Sequence, residues 1–594
     1  MILMMFLAAG LVLTADQARD TGQTVVTTGT AQISGTVVTS DPTPVPLRRV
    51  IVTLTGEQNV RLVAVTDDAG GFVFTSLPAN RYALSAAKGG FVPMAYGSKR
   101  PGGAGTPLLL ADGQRATVVM SLPRGSVITG TVRDDLGRPV PDVTVSVLRY
   151  AFSAQTGERT LQSVSFGSAG QMVGGYWPDA FPGTAVTDDR GVYRIYGLPS
   201  GEYIVSASAR PAMGSPMAVT DVYQISDADV RRARQLLRGP GSVSPTEAAS
   251  RPVGSSRVDY APVYHPTAIA RQDASAITLG TAEEKSGIDV LLQLVPTASV
   301  YGVVTSFDGT PQVGAQVSVM DPESSSSRVA KATRSGSDGE FVISGVPPGR
   351  YQVWSSSYPE RLSGLTEVVV AGRDVDASFM LGPGGTVSGR IVFEGTSKAP
   401  AINTVPLFLS QMPRNSFGGY VSDISQDGAF VFSKVPAGMY RLRINGRPPA
   451  GWALRSVMLG DTDVSDVLFE VKSQEHIEGV VITLTDRTAE ISGTLQTASG
   501  EPAPGYTLVV FSADARFWVA GSRRTQHVRP DVQGRYVAQN LPAGDYLIAA
   551  VTDLEDGQWN DRAFLAELAA SNPLKITVAE GDRKVQDIRI NVPD

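Results

Sequence analysis

The stretch DDRGVYRIYGLPSGEY, from Asp188 to Tyr203, shares its skeleton with four others in this 594-residue chain. They are DAGGFVFTSLPANRY (68–82), SDGEFVISGVPPGRY (337–351), QDGAFVFSKVPAGMY (426–440) and VQGRYVAQNLPAGDY (532–546). In every copy a Gly stands two residues before an aromatic, a Pro six after it, and a Tyr four after the Pro. Asp and Gly turn the chain, because Gly tolerates positive φ and Asp bonds its own backbone. VYRIYGL and FVFTSL then alternate apolar and polar residues, the period of a strand with one buried face. The Pro makes a second turn, and the Tyr opens another alternating strand. That Tyr is expected either to fill the core with its ring or to tie its hydroxyl to nearby backbone.

Each copy also has an opening strand with Gly at its third place: ISGTV (33–37), ITGTV (128–132), VYGVV (300–304), VSGRI (387–391) and ISGTL (491–495). Its glycines, Gly35, Gly130, Gly302, Gly389 and Gly493, lie 95, 172, 87 and 104 residues apart. Such periods are too long for a solenoid unit and fit whole sandwich domains of about 100 residues. The expected fold is therefore all-β: a string of about five small antiparallel sandwiches, with short helices inserted in the second and fifth. The expected division is 30–124, 125–297, 298–383, 384–487 and 488–594, after a 16–29 linker. Links such as LPRGS (122–126) and LGPGG (381–385) are short, so the string is expected to be elongated or bent.

The opening motif, the DDLGRPVPDVTVSV stretch (134–147) and the Gly-aromatic-Pro-Tyr skeleton together resemble the carboxypeptidase regulatory-like domain, a transthyretin-like (prealbumin-like) sandwich. The resemblance covers nearly all of the chain after its first residues. It implies an array like those of secreted bacterial proteins, and it implies no single function. Transthyretin-like hydrolases depend on histidines and a terminal Tyr-Arg-Gly-Ser motif, which this sequence lacks. Metallocarboxypeptidases carry the domain as an accessory, and their zinc-binding catalytic domain has no counterpart here.

The segment MILMMFLAAGLVLTA (1–15) has the length of a signal-peptide apolar region and is short for a membrane span. The expectation is a cleaved signal and a secreted, periplasmic or cell-surface chain without a membrane span. Net charge is −6, and no basic run stands out except VRRARQLLR (230–238), so nucleic acid is not an expected partner. The chain has no Cys, which excludes disulfides and thiolate chemistry.

Two insertions enlarge the second copy, at 150–183 and 210–262. In the latter, Ser226 with Asp229 forms a capping box for a helix striped by Val230, Ala233 and Leu237. In the fifth copy DRAFLAELAASNP (561–573) predicts a helix with Phe564, Leu565 and Leu568 on one face, packed on its own sandwich. The three histidines, His265, His476 and His527, fall in different copies and read as surface or loop residues. The pairs Asp67-Asp68 and Asp188-Asp189 read as turn formers rather than calcium ligands. No catalytic motif, metal site or cofactor is indicated.

Tryptophans remain. Trp354 falls in an alternating strand and is expected in the core, while Trp177 lies in an insertion beside glycines. Exposed rings stack on sugar faces, so Tyr176, Trp177 and Asp179, with Tyr260 and Tyr264 of the other insertion, are the candidate carbohydrate-binding residues. Against this stands the reading that Tyr176 and Trp177 plug their insertion against the sandwich. The functional expectation is a non-enzymatic array that binds carbohydrate or adheres, with a polysaccharide or envelope component as partner. The alternative is a structural spacer of the envelope, and an enzyme with an unrecognised site comes last.

Overall fold

The computed structural model describes residues 29–590, apart from 57–59, 154–155, 165–182, 210–222, 225–229, 232–233, 235–255, 322–328, 358–361, 403–404, 413–418, 422, 445–447 and 450. Strands dominate, and paired sheets enclose separate apolar cores. The chain is an all-β, multidomain protein.

The first sandwich shows the plan. One sheet orders Gly71–Leu77, Ala31–Thr39 and Arg115–Leu122; the other orders Arg61–Val65, Ile51–Gly56 and Asn80–Ala87, with two short strands on its far edge. Inward residues of both, such as Ile33, Val52, Phe74, Tyr82 and Leu84, form its core. Neighbouring strands pair antiparallel with one exception, which repeats in every sandwich. The opening strand takes the hairpin strand antiparallel on one side and the closing strand parallel on the other, as in Gln32↔Arg115 through Thr39↔Leu122. The same holds for Ser126–Arg133, Ala298–Ser306, Gly385–Glu394 and Ala489–Thr497.

This parallel neighbour explains the opening glycine. A Cβ at Gly35 would lie 2.3 Å from the Val118 carbonyl oxygen, at Gly130 2.0 Å from that of Ile288, at Gly389 1.9 Å from that of Val480, and at Gly493 2.1 Å from that of Gln586. No side chain fits there. In the second and fifth copies the post-Gly aromatic is a Tyr whose hydroxyl donates to that same carbonyl, Tyr193 to Ile288 and Tyr536 to Gln586. In those copies the closing strand is interrupted beside the glycine, and a carboxylate takes over from the ladder. Asp289 accepts from the Thr131 amide at 2.8 Å, and Asp587 from the Thr494 amide at 2.8 Å.

The turn glycines Gly70, Gly191, Gly339, Gly428 and Gly534 all have φ between 71° and 85°. Beside them Asp67, Asp188 and Asp531 each accept two backbone amides, which makes them the turn formers expected. The corner Tyr does both things open to it. In four copies its ring is fully buried, and its hydroxyl donates to the carbonyl of the Pro four residues earlier: Tyr82 to Pro78, Tyr203 to Pro199 and Tyr440 to Pro436 at 2.8 Å, and Tyr546 to Pro542 at 2.6 Å; in the third, Tyr351 is half-buried against its core. Burial pushes the Tyr203 and Tyr546 hydroxyls up to about 12, so they stay donors.

The fifth-copy helix runs Arg562–Ala570, capped by Asp561. Leu565 and Leu568 pack on Val509, Phe511 and Ala549, the outer face of their own sandwich, with Phe564 half-buried beside them. In the second copy Val230, Arg231 and Arg234 are helical, and the rest of that expected helix lies outside the described residues. Trp354 is not in the core. The core residue of its strand is the neighbouring Val353, and strand alternation sets Trp354 on the opposite face.

The string also turns back on itself. Arg81, Lys99 and Arg100 of the first sandwich touch Arg529, Tyr506 and Asp553 of the fifth. A Cβ at Gly157, on a hairpin of the second, would meet the Asn560 carbonyl of the fifth at 2.1 Å. Of the elongated or bent string expected from the short links, these contacts give a bent one, in which the fifth sandwich touches the first. Link length limits the distance between neighbours but not the path of the whole chain.

Substituting Gly389→Ala is expected to destabilise the fourth sandwich by about 3 kcal/mol or more, because backbone must move to admit a Cβ. Tyr203→Phe is expected to cost the second about 1 kcal/mol, the value of one corner hydrogen bond. Urea denaturation checks both; Trp452, buried against Phe393 at 4.8 Å, reports on the fourth core.

Candidate functional site

Two of the five residues expected from sequence to bind carbohydrate, Tyr260 and Tyr264, are among the described residues. Tyr176, Trp177 and Asp179 lie outside them. Tyr264 is buried; its strand, Val263–Tyr264, pairs with Gly201–Ser208, and its hydroxyl accepts from Arg271 Nε at 2.9 Å. Arg271 in turn reaches Asp321 of the third sandwich at 2.9 Å, so Tyr264 belongs to the joint between the two. Tyr260 is half-buried on the second core, and its phenol is raised by burial and by Asp134 and Asp135. Of the described tryptophans, Trp452 is core, Trp518 donates Nε1 to the Ser512 carbonyl at 2.7 Å, Trp559 is covered by His527, and Trp354 is half-buried on the face opposite its core.

The chain's polar side chains converge instead in a cleft of about 120 Å³ between the first and fifth sandwiches. One wall is the loop that carries Lys99, Arg100 and Ala104; the other carries His527, Arg529, Asp553, Asp556 and Trp559. His527 is half-buried in the strand Thr525–Val528, not in a loop. Trp559, in the single turn Gln558–Asn560, stacks on it at 3.8 Å with 28° between planes. Burial lowers the His527 pKa, and the nearby Asp556 carboxylate opposes that only in part.

Arg529 spans the cleft. Its Nη1 and Nη2 donate to the carbonyls of Ala104 and Gly97, while its own carbonyl accepts from Arg81 at 3.3 Å. Arg100 answers from the other side, with Nε 2.9 Å from Asp553 Oδ1. Charged donors on main-chain carbonyls are among the stronger hydrogen bonds. The volume is below the roughly 300 Å³ at which ligand pockets begin, so the cleft accommodates a few waters or a small ion. No nucleophile is hydrogen-bonded to His527, and among the described residues no group of three acids or histidines could hold a metal. The arrangement fastens two sandwiches.

His265, half-buried in the turn after Val263–Tyr264, bonds the Asp289 carbonyl at 2.6 Å, and His476, exposed at the start of the strand His476–Thr485, bonds the Thr386 hydroxyl at 2.7 Å. What sequence reading missed is the run SRRTQHVR (522–529), whose arginines are split between two joints. Arg523 and Arg524 face the fourth sandwich and Arg529 the first. Its signal is three arginines within eight residues.

Residues 32–123 and 299–381 match the model of the carboxypeptidase regulatory-like domain. Over these two stretches the chain is similar to the carboxypeptidase regulatory-like domain. The two matches fall in the first and third sandwiches, and the other three keep the same fixed Gly, Pro and Tyr. No curated protein matches the sequence. Among solved structures, a streptococcal ancillary pilin is similar over 59% of this chain and 98% of its own, at 13% identity and a TM-score of 0.21. The minor pilin of Streptococcus agalactiae is similar over 45% and 97%, at 12% and 0.21. The Bacillus anthracis TIE protein is similar over 76% and 68%, at 11% and 0.14. Scores this low carry nothing about function. Among the described residues no helix is long and apolar enough to cross a membrane.

His527 makes the cleft pH-sensitive. Its folded pKa lies below its ordinary value, so the unfolded chain takes up the proton first as pH falls. The stability it contributes is complete above about pH 6.5 and is lost as pH drops through that value towards the folded one. Thermal unfolding followed from about pH 8 to about pH 5 is expected to show this decline, and His527→Gln to flatten it.

Proposed function

We propose that the chain is a non-enzymatic scaffold of the cell envelope or exterior, a row of β-sandwiches latched into one body. The division proposed is 30–124, 125–297, 298–383, 384–487 and 488–594, with residues 1–15 directing export. The reading is supported by how the side chains are used. The fixed Gly, Pro and Tyr of each copy are taken up by turns, close backbone approach and corner hydrogen bonds. The single observation that carries it is Arg529, which joins residues more than 420 positions apart through main-chain carbonyls rather than presenting its charge to a ligand. A protein built to hold its ends together maintains a fixed outline, which is what a scaffold or adhesive surface requires.

Small-angle scattering tests the latch. The wild-type chain is expected to be compact, and the double variant Arg100→Ala, Arg529→Ala to show a larger radius of gyration and a longer maximum dimension. Identical profiles would remove closure from the proposal.

Carbohydrate binding is the second reading, and it rests on the adjacent rings of Tyr176 and Trp177 with Asp179 nearby in sequence. Trp177→Ala is expected to weaken binding in a polysaccharide pull-down about tenfold, the loss of one stacked ring. Failure of the wild type to bind any glycan leaves the scaffold alone.

A further inference from the structure

The first sandwich has two sheet edges of different kinds. Its larger sheet runs from Arg61–Val65 at one edge, through Ile51–Gly56 and Asn80–Ala87, to the short strands Met94–Ala95 and Leu108–Leu110 at the other. The loop between those short strands meets the fifth sandwich, where the Gly97 and Ala104 carbonyls accept from Arg529. Arg61–Val65 lies at the opposite edge, away from that contact. Its Leu62, Val63 and Val65 are 36%, 38% and 61% exposed.

The backbone of this edge points outward in a fixed phase. Arg61–Val65 pairs antiparallel with Ile51–Gly56, with Val63 opposite Thr53 and no shift of register. The Val60 carbonyl accepts from the Gly56 amide at 2.8 Å, and the Thr66 amide donates to the Val50 carbonyl at 3.0 Å. Hydrogen-bonded pairs alternate along an antiparallel ladder, so Leu62 and Ala64 bond inward, and Val63 and Val65 turn their N–H and C=O groups away from the sheet. Side chains alternate as well. Val60 and Ala64 pack on the first core, which places Val63 and Val65 on the outer face.

The equivalent edge is guarded in the other four copies. In the second it reads RTLQS, polar at four of its five places. In the third, Val329–Arg334 points Lys331 inward, 6% exposed, with Nζ 2.7 Å from the Ser344 carbonyl. In the fourth it is only the three residues Gly419–Val421. In the fifth it is Thr525–Val528, whose His527 lines the cleft against the first sandwich. Polar or inward charged residues, short strands and covering all block edge-to-edge pairing. Arg61–Val65 has an apolar outer row, no Pro and no bulge.

We propose that this edge pairs with the same edge of a second copy of the chain, about a two-fold axis at Val63. Antiparallel pairing centred there sets Val63 opposite the partner's Val63, and Arg61 opposite the partner's Val65. All three pairs are then of the hydrogen-bonded type, about six bonds between the chains. A shift of the axis by one residue in either direction loses a pair. The strand is self-complementary in this register. Its outer face brings valine against valine, its inner face brings Leu62 beside the partner's Ala64, and the two arginines stand at opposite ends of the ladder. A second copy thus satisfies both the outward backbone groups and the exposed apolar side chains. The inference goes beyond the scaffold reading by naming what the scaffold joins, and it is independent of the Arg529 latch and of Trp177.

The test is sedimentation equilibrium of the full chain from about 1 to about 100 μM, since a dimer forms by mass action. Wild type is expected to pass from monomer towards dimer over that range. Val63→Pro removes an outward amide and no bond within the sheet, and is expected to weaken dimerisation at least about tenfold. Val63→Lys and Val63→Glu each set like charges directly opposite, and each is expected to remain monomeric. Mixed in equal amounts, these two variants are expected to dimerise again, because only a two-fold axis at Val63 sets the lysine against the glutamate. If Val63→Pro lowers the melting temperature through misfolding of the first sandwich, the exposed Lys and Glu variants carry the test. Wild type that stays monomeric throughout overturns the proposal. So does a dimer that survives Val63→Lys and Val63→Glu, which places the contact elsewhere, and so does a mixture of the two that fails to restore it, which assigns a different register or occupant.

Discussion

Each sandwich is organised around one point where two backbones approach more closely than any side chain permits. The closing strand runs parallel to the opening strand, and its backbone presses on the opening glycine, through a carbonyl oxygen in four copies and through the Ser378 amide nitrogen in the third. With that approach in place, the opening strand can accept the hairpin strand on its other edge and seal one face of the core. Where the ladder is interrupted at this point, Asp289 and Asp587 supply acceptors to the amides left over. Buried amides need partners, so these acids belong to the fold rather than to a binding site.

The second organising force is electrostatic, and it acts between sandwiches. Arginines join them in two ways. At the cleft, Arg529 and Arg100 reach carbonyls and an exposed carboxylate, and they remain partly solvated. At the seam between fourth and fifth, Asp466 and Arg523 are largely removed from water, and their attraction must offset desolvation of both. The first kind is expected to weaken with salt more than the second, because solvent screens exposed charges and leaves buried ones largely unscreened.

These joints bear on what the molecule does. A row of identical modules with free ends would sample many shapes. Arginine contacts from the fifth sandwich to the first and fourth hold the modules in one arrangement. The scaffold reading follows from this use of polar groups.

Sequence alone determined the repeat unit. Gly for positive φ, Asp for the turn and Tyr for the corner are each the residue type a local geometry demands, so they recur at fixed spacing and can be read. The fifth-copy helix was legible through its apolar stripe. One repeating feature was not. Ser76, Gly197, Gly345, Lys434 and Asn540 hold equivalent places, four residues after the aromatic, all with φ between 56° and 78°. They share no residue type, because the strand register imposes the left-handed residue there and the side chain does not. The candidate site was legible even less. Tyr264 and Trp354 looked like a ligand contact and a core residue, and tertiary structure made the first a joint and set the second on the opposite face from its core. His527, Arg441, Arg443 and Arg529 acquire their environments only when distant sandwiches dock. Local propensity encodes turns and strands within a few residues, whereas burial and partnering of a charge depend on surfaces hundreds of residues away, which only the folded chain brings together.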